Sequence, residues 1–234
     1  MFFDCAKGTF YNNLFVVAVS TGMRIGELAA LRWSDIDWKT NVIKVTRTLV
    51  YQKYEDDEQK SFHFENPKTA TSKRNIPINH QCEMALKRQY MQKNVIAQKA
   101  PKSKSVDKQY ADLLFTTKFD TPINSQIICE VIKKVVDEIE VFSPHCFRHT
   151  FETRCFEACI QPKTVQAYLG HASLQMTMDL YTSVMPKHMS NEMDKVSEVL
   201  DRLSTNGDTI TEDSYNKAVQ NNKIISFYGD SVVV

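Results

Sequence analysis

Between Ser143 and Tyr181, two prolines and a glycine fix where helices begin and end, and they do so around four polar side chains. Proline is preorganised for a first helical turn, so Pro144 predicts a helix start. His145 and Arg148, three positions apart, then leave that helix from one face. Pro162 opens a second helix through Val165, Tyr168 and Leu169. Gly170 ends it where a left-handed residue is wanted, which leaves His171 projecting from a turn. A third helical pattern runs from Leu174 through Met178 to Tyr181, ten positions beyond the histidine.

The chain has 234 residues, 42% of them hydrophobic and 24% charged, which describes one large globular domain or two small ones and excludes a disordered or fibrous chain. No apolar run reaches the length of a membrane span. Met1-Phe2-Phe3-Asp4-Cys5 lacks the basic and small-residue flanks of a signal peptide, so the expected compartment is the cytosol or nucleoid, with no membrane partner. The six cysteines (Cys5, Cys82, Cys129, Cys146, Cys155, Cys159) show no Cys-x-x-Cys spacing and are read as reduced core thiols. A net charge of +1 argues little for a nucleic-acid partner, so its distribution matters more than its sum. Residues 191–234 carry four basic against eight acidic side chains, whereas residues 1–190 carry 25 against 20. From Lys87 to Lys108, seven basic residues face one acidic, a surface that attracts phosphate or a solvated helix and loop.

Phe10, Leu14, Val17 and Ala18 repeat at helical spacing and predict a buried helix ending at Ser20-Thr21-Gly22. A second helix follows from Ile25 through Leu28 and Ala29 to Trp33. Arg24 stands at its start, where Glu27 can hold it beside free backbone N–H groups, a good anion site. Asn41 to Thr48 alternates as a strand. An acidic insert at Glu55–Glu58 is a hairpin tip or an excursion, and Ser61 to Phe64 pairs back. Asn66 to Ile78 reads as strand, polar turn, strand, carrying the cations Lys68, Lys73 and Arg74. A helix over 79–98, a short buried strand or turn at Asp112–Phe115 and a helix from Ile123 to Glu140 lead back to Pro144. The fold class is mainly α with a small antiparallel β-sheet (α+β). Beyond Pro186 an amphipathic segment, an acidic linker and the apolar end Ile224–Val234 are poorly explained by a self-contained monomer.

Taken together, Thr21-Gly22-Met23-Arg24-Ile25-Gly26-Glu27-Leu28, the hairpin Pro67-Lys68-Thr69, His145-Cys146-Phe147-Arg148-His149-Thr150-Phe151, and Leu169-Gly170-His171 followed by Tyr181 resemble the catalytic domain of the tyrosine recombinases, the phage and transposon integrase family. The resemblance spans residues 21–181. It implies the DNA breaking-rejoining catalytic fold over residues 1–186, with residues 187–234 as a C-terminal helix and tail that docks on a neighbouring subunit. Such integrases place a helical core-binding domain ahead of the first helix read here, and that domain is expected to be absent from this chain.

The implied catalytic residues are Arg24, Lys68, His145, Arg148, His171 and Tyr181, with Glu27 and His149 in support. Breaking a phosphodiester without metal requires a nucleophile, positive charge on the non-bridging oxygens and a proton for the leaving oxygen. Tyr181 would attack to give a 3′-phosphotyrosine that stores the bond for resealing. Arg24 and Arg148 would clamp the oxygens with rigid forks. His145 and His171 would hydrogen-bond the same phosphate, with His145 accepting the phenolic proton, and Lys68 would protonate the 5′ oxygen. The implied partners are double-stranded DNA and further copies of the chain in a synaptic tetramer, with no cofactor and no metal. Lys73, Arg74, Lys87, Arg88, Lys102 and Lys104 are the candidate DNA contacts. His145 and His149 have the i, i+4 spacing of metal ligands, but the glutamate of a His-Glu-x-x-His site is missing. The alternatives are a type IB topoisomerase, which shares the chemistry without sequence choice, and a DNA-binding module without catalysis.

Overall fold

In a computed structural model of the chain, residues 2–66, 70–99, 107–135, 142–184 and 197–198 are described. Residues 1–184 form one compact unit, and every element named below belongs to it. Lys68, Lys102, Lys104, the end of the helix expected to reach Glu140, and the C-terminal segment other than Ser197 and Glu198 lie outside the described residues.

A short helix, Phe2–Ala6 (α1), precedes the first one that periodicity announces. The latter is Asn12–Thr21 (α2), which buries Leu14, Val17 and Ala18 as the spacing predicts, together with Phe15. It stops at Gly22, whose φ of 63° is left-handed and whose N–H donates to the Ala18 carbonyl at 2.9 Å. The next helix, Ile25–Ala29 (α3), is shorter than expected and does not reach Trp33. There the Asp35 carboxylate accepts the Arg32 N–H at 2.9 Å and redirects the chain into a 3-10 turn.

The single sheet expected from the sequence is two. Val42–Val45 (β2) lies between Ile36–Asp37 (β1) and Arg74–Pro77 (β5), all antiparallel, while Thr48–Gln52 (β3) and Ser61–Glu65 (β4) form a separate hairpin. The strand predicted over Asn41–Thr48 breaks at Arg47, whose two terminal nitrogens each reach Asp35 at 2.9 Å. That fork draws the backbone out of the first sheet. The acidic loop of the hairpin is closed by Asp57, whose Oδ2 accepts the Tyr54 N–H at 2.9 Å and lies 2.8 Å from His63 Nε2.

The remaining helices are His80–Lys99 (α4), Ser125–Val135 (α5), Pro144–Glu157 (α6), Pro162–Leu169 (α7) and Leu174–Val184 (α8). Pro144 and Pro162 open their helices as predicted, and Gly170 ends α7 at φ 67°. No described helix is long and apolar enough to cross a membrane. The main core joins α1, α2 and α6 through an aromatic cluster in which Phe2 stacks on Phe142 at 4.5 Å and Phe15 on Phe147 at 5.3 Å. Phe15 and Phe147 are fully buried, which stabilises the fold by about 2–3 kcal/mol each. A second, smaller cluster gathers Cys155, Phe156, Val165 and Leu169, with Phe151, Leu180 and Tyr181 against it. Cys159 does not join this core as expected. It is exposed, at φ 57°, in the turn that ends α6.

Arg74 is the clearest departure from expectation. Read as a hairpin cation free to meet DNA, it is buried, with its side chain 4% exposed. The alternation of β5 points Arg74 and Ile76 to the same inner face, and the register pairs them with Val45 and Ile43 of β2. Its Nη1 and Nη2 donate to the two carboxylate oxygens of Glu27 at 2.9 Å each, and its Nε donates to the Tyr168 carbonyl at 2.6 Å. One guanidinium thereby ties the sheet to α3 and to the end of α7. Burial works to raise the Glu27 carboxyl, but the bonds and charge of Arg74, with the Arg24 N–H, outweigh it and hold the group below the ordinary carboxylate value.

Two stability effects follow. Arg74→Met strands a buried carboxylate and is expected to cost about 3 kcal/mol or more in urea denaturation. Because the folded carboxyl is depressed, that deficit is full above the unfolded value of about 4.3 and shrinks as pH falls toward the lower folded value. An exposed DNA contact would instead leave the midpoint unchanged at every pH. Gly22→Ala places a Cβ 2.6 Å from Phe151 Cδ1 and 2.7 Å from Leu169 Cδ2 at a left-handed φ. It is expected to lower the unfolding free energy by at least about 1–2 kcal/mol in the same assay.

Candidate active site

Arg24 is the residue on which the site turns. It caps α3 in an extended conformation, with φ −71° and ψ 152°. Its backbone N–H donates to Glu27 Oε2 at 2.8 Å and its Nη1 to Oε1 at 3.2 Å. The carboxylate under it is already held by Arg74, so Arg24 starts from a fixed base while its side chain remains 41% exposed. It lines two neighbouring clefts. The larger, about 560 Å³, is walled by Arg24, Arg47, Thr48, Glu65, Gly170 and His171 among others. The smaller, about 320 Å³, brings Arg24 together with Gly26, Cys129, His145 and Arg148.

Arg148 lies beneath. It is 5% exposed, and it donates from Nη1 to the Gly22 carbonyl and from Nη2 to the Leu169 carbonyl, both at 2.8 Å. Those carbonyls belong to the C-terminal ends of α2 and α7, where unsatisfied oxygens and the negative end of the helix dipole favour a cation. A single arginine therefore holds both left-handed glycine turns, and with them Arg24 on one side and His171 on the other. A guanidinium has five N–H donors, so three are left to act elsewhere. Burial lowers the Arg148 pKa to about 10, with the Arg24 charge adding to the effect. The group stays cationic at neutral pH.

His171 is 7% exposed. Its Nδ1 lies 2.9 Å from Thr177 Oγ1, Nε2 has no partner among the described residues, and the residue lines the larger cleft. Burial pushes the imidazole down to about 4, and the charges of Arg148, Arg24 and Arg74 push the same way. At neutral pH it is a neutral ring whose tautomer is set by what Nδ1 faces. His145 is exposed on the first turn of α6 at the mouth of the smaller cleft. His149 is also exposed, with its ring 6.3 Å from that of His145. Among the described residues no group of three or more His, Cys, Asp or Glu could hold a metal ion.

The structure thus brings Arg24, Arg148, His145, His171 and Glu27 around adjoining clefts, from a sequence span of more than a hundred residues. Tyr181 is not among the residues lining either cleft. It is half-buried on α8, packed edge-on against Phe156 with ring centroids 5.1 Å apart. Of the candidate DNA contacts, Lys73 is exposed beside Ser72 of the larger cleft, whereas Lys87 and Arg88 lie on α4 and line neither cleft. Lys87 pairs with Glu83 at 2.6 Å and Arg88 donates to Asn13 at 3.3 Å.

Two residues in this region escaped sequence reasoning. Arg47 lines the larger cleft, held by Asp35; a basic residue ending an alternating strand gave no warning of it. Glu152 is 3% exposed one turn beyond Arg148. Its i+4 spacing from a buried residue was the available signal.

The arrangement of two rigid guanidinium groups and an imidazole around a cleft suits an anion with tetrahedral oxygens. The comparisons with known proteins point the same way. The family model described as Phage integrase family matches residues 4–188. A tyrosine recombinase XerC-like protein of Caldanaerobacter subterraneus subsp. tengcongensis is 30% identical over 84% of this chain and 51% of its own length. The integrase of Staphylococcus phage L54a is 30% identical over 79% of the chain and 50% of its own. The chain spans about half the length of these curated relatives. Among solved structures, the Tn1549 transposon integrase in complex with transposon right end DNA is 25% identical with a TM-score of 0.64, covering 81% of this chain and 62% of that one. The XerA recombinase shares the fold at 22% identity, with a TM-score of 0.57 and coverage of 82% and 61%. The chain carries the catalytic fold of the tyrosine recombinases and belongs to the phage integrase family.

Proposed function

We propose that the chain is the catalytic part of a site-specific DNA recombinase that cuts and rejoins DNA through a 3′-phosphotyrosine, without metal or ATP. The observation that carries this reading is the shared wall of the two clefts. Arg24 opens on both, and Arg148 is fixed directly beneath by the carbonyls of Gly22 and Leu169. Fixed donors aimed at developing charge cost no reorganisation during reaction, which is the largest single source of rate in phosphoryl transfer. Arg24 and Arg148 hold the non-bridging oxygens, His171 donates through Nε2, His145 accepts the phenolic proton, and Lys68 supplies a proton to the 5′ oxygen. Tyr181 attacks, for which its phenol leaves Phe156 and α8 turns it toward the cleft.

The substrate is double-stranded DNA. The similarity to the Tn1549 integrase, solved on transposon right end DNA, supports this, as does the basic surplus of residues 1–190. Assembly on DNA is as a synaptic tetramer joined by the C-terminal segment, residues 187–234, and the place of action is the bacterial nucleoid.

The test is a pool of nicked duplexes with randomised sequence around the scissile phosphate, so that release of the short 5′ fragment traps any covalent intermediate. Wild-type protein is expected to give a protein–DNA band resistant to denaturant, and Tyr181→Phe to lose it by on the order of a thousandfold or more. A band that persists in Tyr181→Phe, or its absence with wild type, overturns the assignment. Relaxation of supercoiled plasmids irrespective of sequence would instead identify a topoisomerase.

A further inference from the structure

Glu152 is a buried acid that the chemistry above does not use. It lies on α6 one turn beyond Arg148, is 3% exposed, and its Oε1 is buried without a hydrogen-bond partner among the described residues. That same oxygen lies 4.0 Å from His171 Nδ1, too far for a hydrogen bond and close enough that a small side-chain rotation makes one. An unpaired buried carboxylate costs far more than an unpaired carboxylic acid. Burial accordingly raises Glu152 to about 7, against the opposing pull of Arg148. At neutral pH a neutral imidazole in the cleft wall therefore stands 4.0 Å from a buried acid that has kept much of its proton.

The surroundings of the pair are one-sided. Arg148, Arg24 and Arg74 all act on His171, as does His149. From α8 come Thr177 on Nδ1 and, further along, Tyr181 against Phe156. Helix α5 presents Ser125 and Cys129 toward Arg148 and His145. Cys155, next along α6, is raised to about 11 by burial and by the Glu152 charge. Helix α2 carries no ionisable side chain. Burial first, and the positive charge of Arg148, Arg24 and Arg74 after it, keep His171 neutral; Arg24 and Arg148 line the clefts, so an anion entering there offsets their share of that field at the imidazole.

We propose that Glu152 is a positioning residue for His171: its carboxyl holds a proton that passes to Nδ1 when a phosphodiester anion occupies the cleft. In that step the O–H bond of Glu152 breaks and an N–H bond forms on His171, with no net change in protons. His171 then meets the anion as a cation donating from Nε2, with the carboxylate behind it and the Thr177 hydroxyl turned to accept. This rests on the cleft taking a DNA phosphate, as set out under the proposed function.

The test uses the whole chain labelled with nitrogen-15 in its histidine rings and carbon-13 in its glutamate carboxyls. The probe is dimethyl phosphate, with sodium chloride at matched ionic strength as the control. In the wild type near pH 7, the probe is expected to move the His171 ring nitrogens to imidazolium positions while the Glu152 carboxyl moves from acid to carboxylate. In Glu152→Gln the ring is expected to stay neutral. Identical ring shifts in both proteins, or a wild-type ring that ignores the probe, overturn the proposal. The wild-type carboxyl signal decides the matter if the variant does not fold: a carboxyl that stays put as the ring gains its proton also overturns it. On nicked DNA, Glu152→Gln is expected to cleave about tenfold more slowly at neutral pH. It is also expected to lose the wild-type decline in rate as pH rises through about 7, where the stored proton is lost. No cleavage by the wild type alongside an intact proton shift would count against the recombinase reading and leave this one standing.

Discussion

The Glu27 carboxylate is the fixed point of the molecule. Its two oxygens receive both terminal nitrogens of Arg74, the Arg24 backbone and the Arg24 side chain. This one buried group joins β5 to the start of α3, and through Arg74 to the Tyr168 carbonyl at the end of α7. An isolated buried carboxylate would be prohibitively costly, and one bound by a bidentate arginine with a second arginine beside it is not. The cost of burying charge thus fixes the geometry: the elements must meet where the charges pair. What emerges at the surface is Arg24, held by Glu27 at its backbone and at Nη1 while its side chain stays 41% exposed.

Arg148 repeats this logic with backbone in place of carboxylate. Its two 2.8 Å bonds to Gly22 and Leu169 need both carbonyls exposed at the ends of left-handed glycine turns. At Gly22 a side chain would strike Phe151 and Leu169, and at Gly170 it would come within 2.9 Å of the Thr71 carbonyl. The glycines are therefore part of the anion site, since they allow α2 and α7 to end close enough for one guanidinium to bridge them. Positive charge collects around His171 as a result and adds to the burial that holds the ring neutral.

Much of this was legible in the sequence because its signals are local. Pro144, Pro162, Gly22 and Gly170 mark helix ends through backbone constraints that need no tertiary partner, and the polar residues beside them fall where those ends converge. What stayed hidden depends on distant partners. Arg74 reads as a surface cation until Glu27, 47 residues away, is placed beneath it. The split of one predicted sheet into two follows from Arg47 reaching Asp35. The resting place of Tyr181 against Phe156 is set by packing between α6 and α8, which helical spacing alone does not specify. Glu152 was on the right face of α6 by spacing, yet only its distance to His171 gives that position chemical meaning.

The central claim is that Arg24, Arg148 and His171 form one site for a single phosphorus centre. It is tested most directly by a crystal structure of the chain on a nicked duplex with vanadate in place of the scissile phosphate. The account predicts vanadium in the cleft, its oxygens within hydrogen-bond distance of both guanidinium groups and of His171 Nε2, with the phenolic oxygen of Tyr181 bonded to the metal. Vanadate bound instead along the Lys87 and Arg88 face of α4, or held in the cleft with Tyr181 still against Phe156, would contradict it.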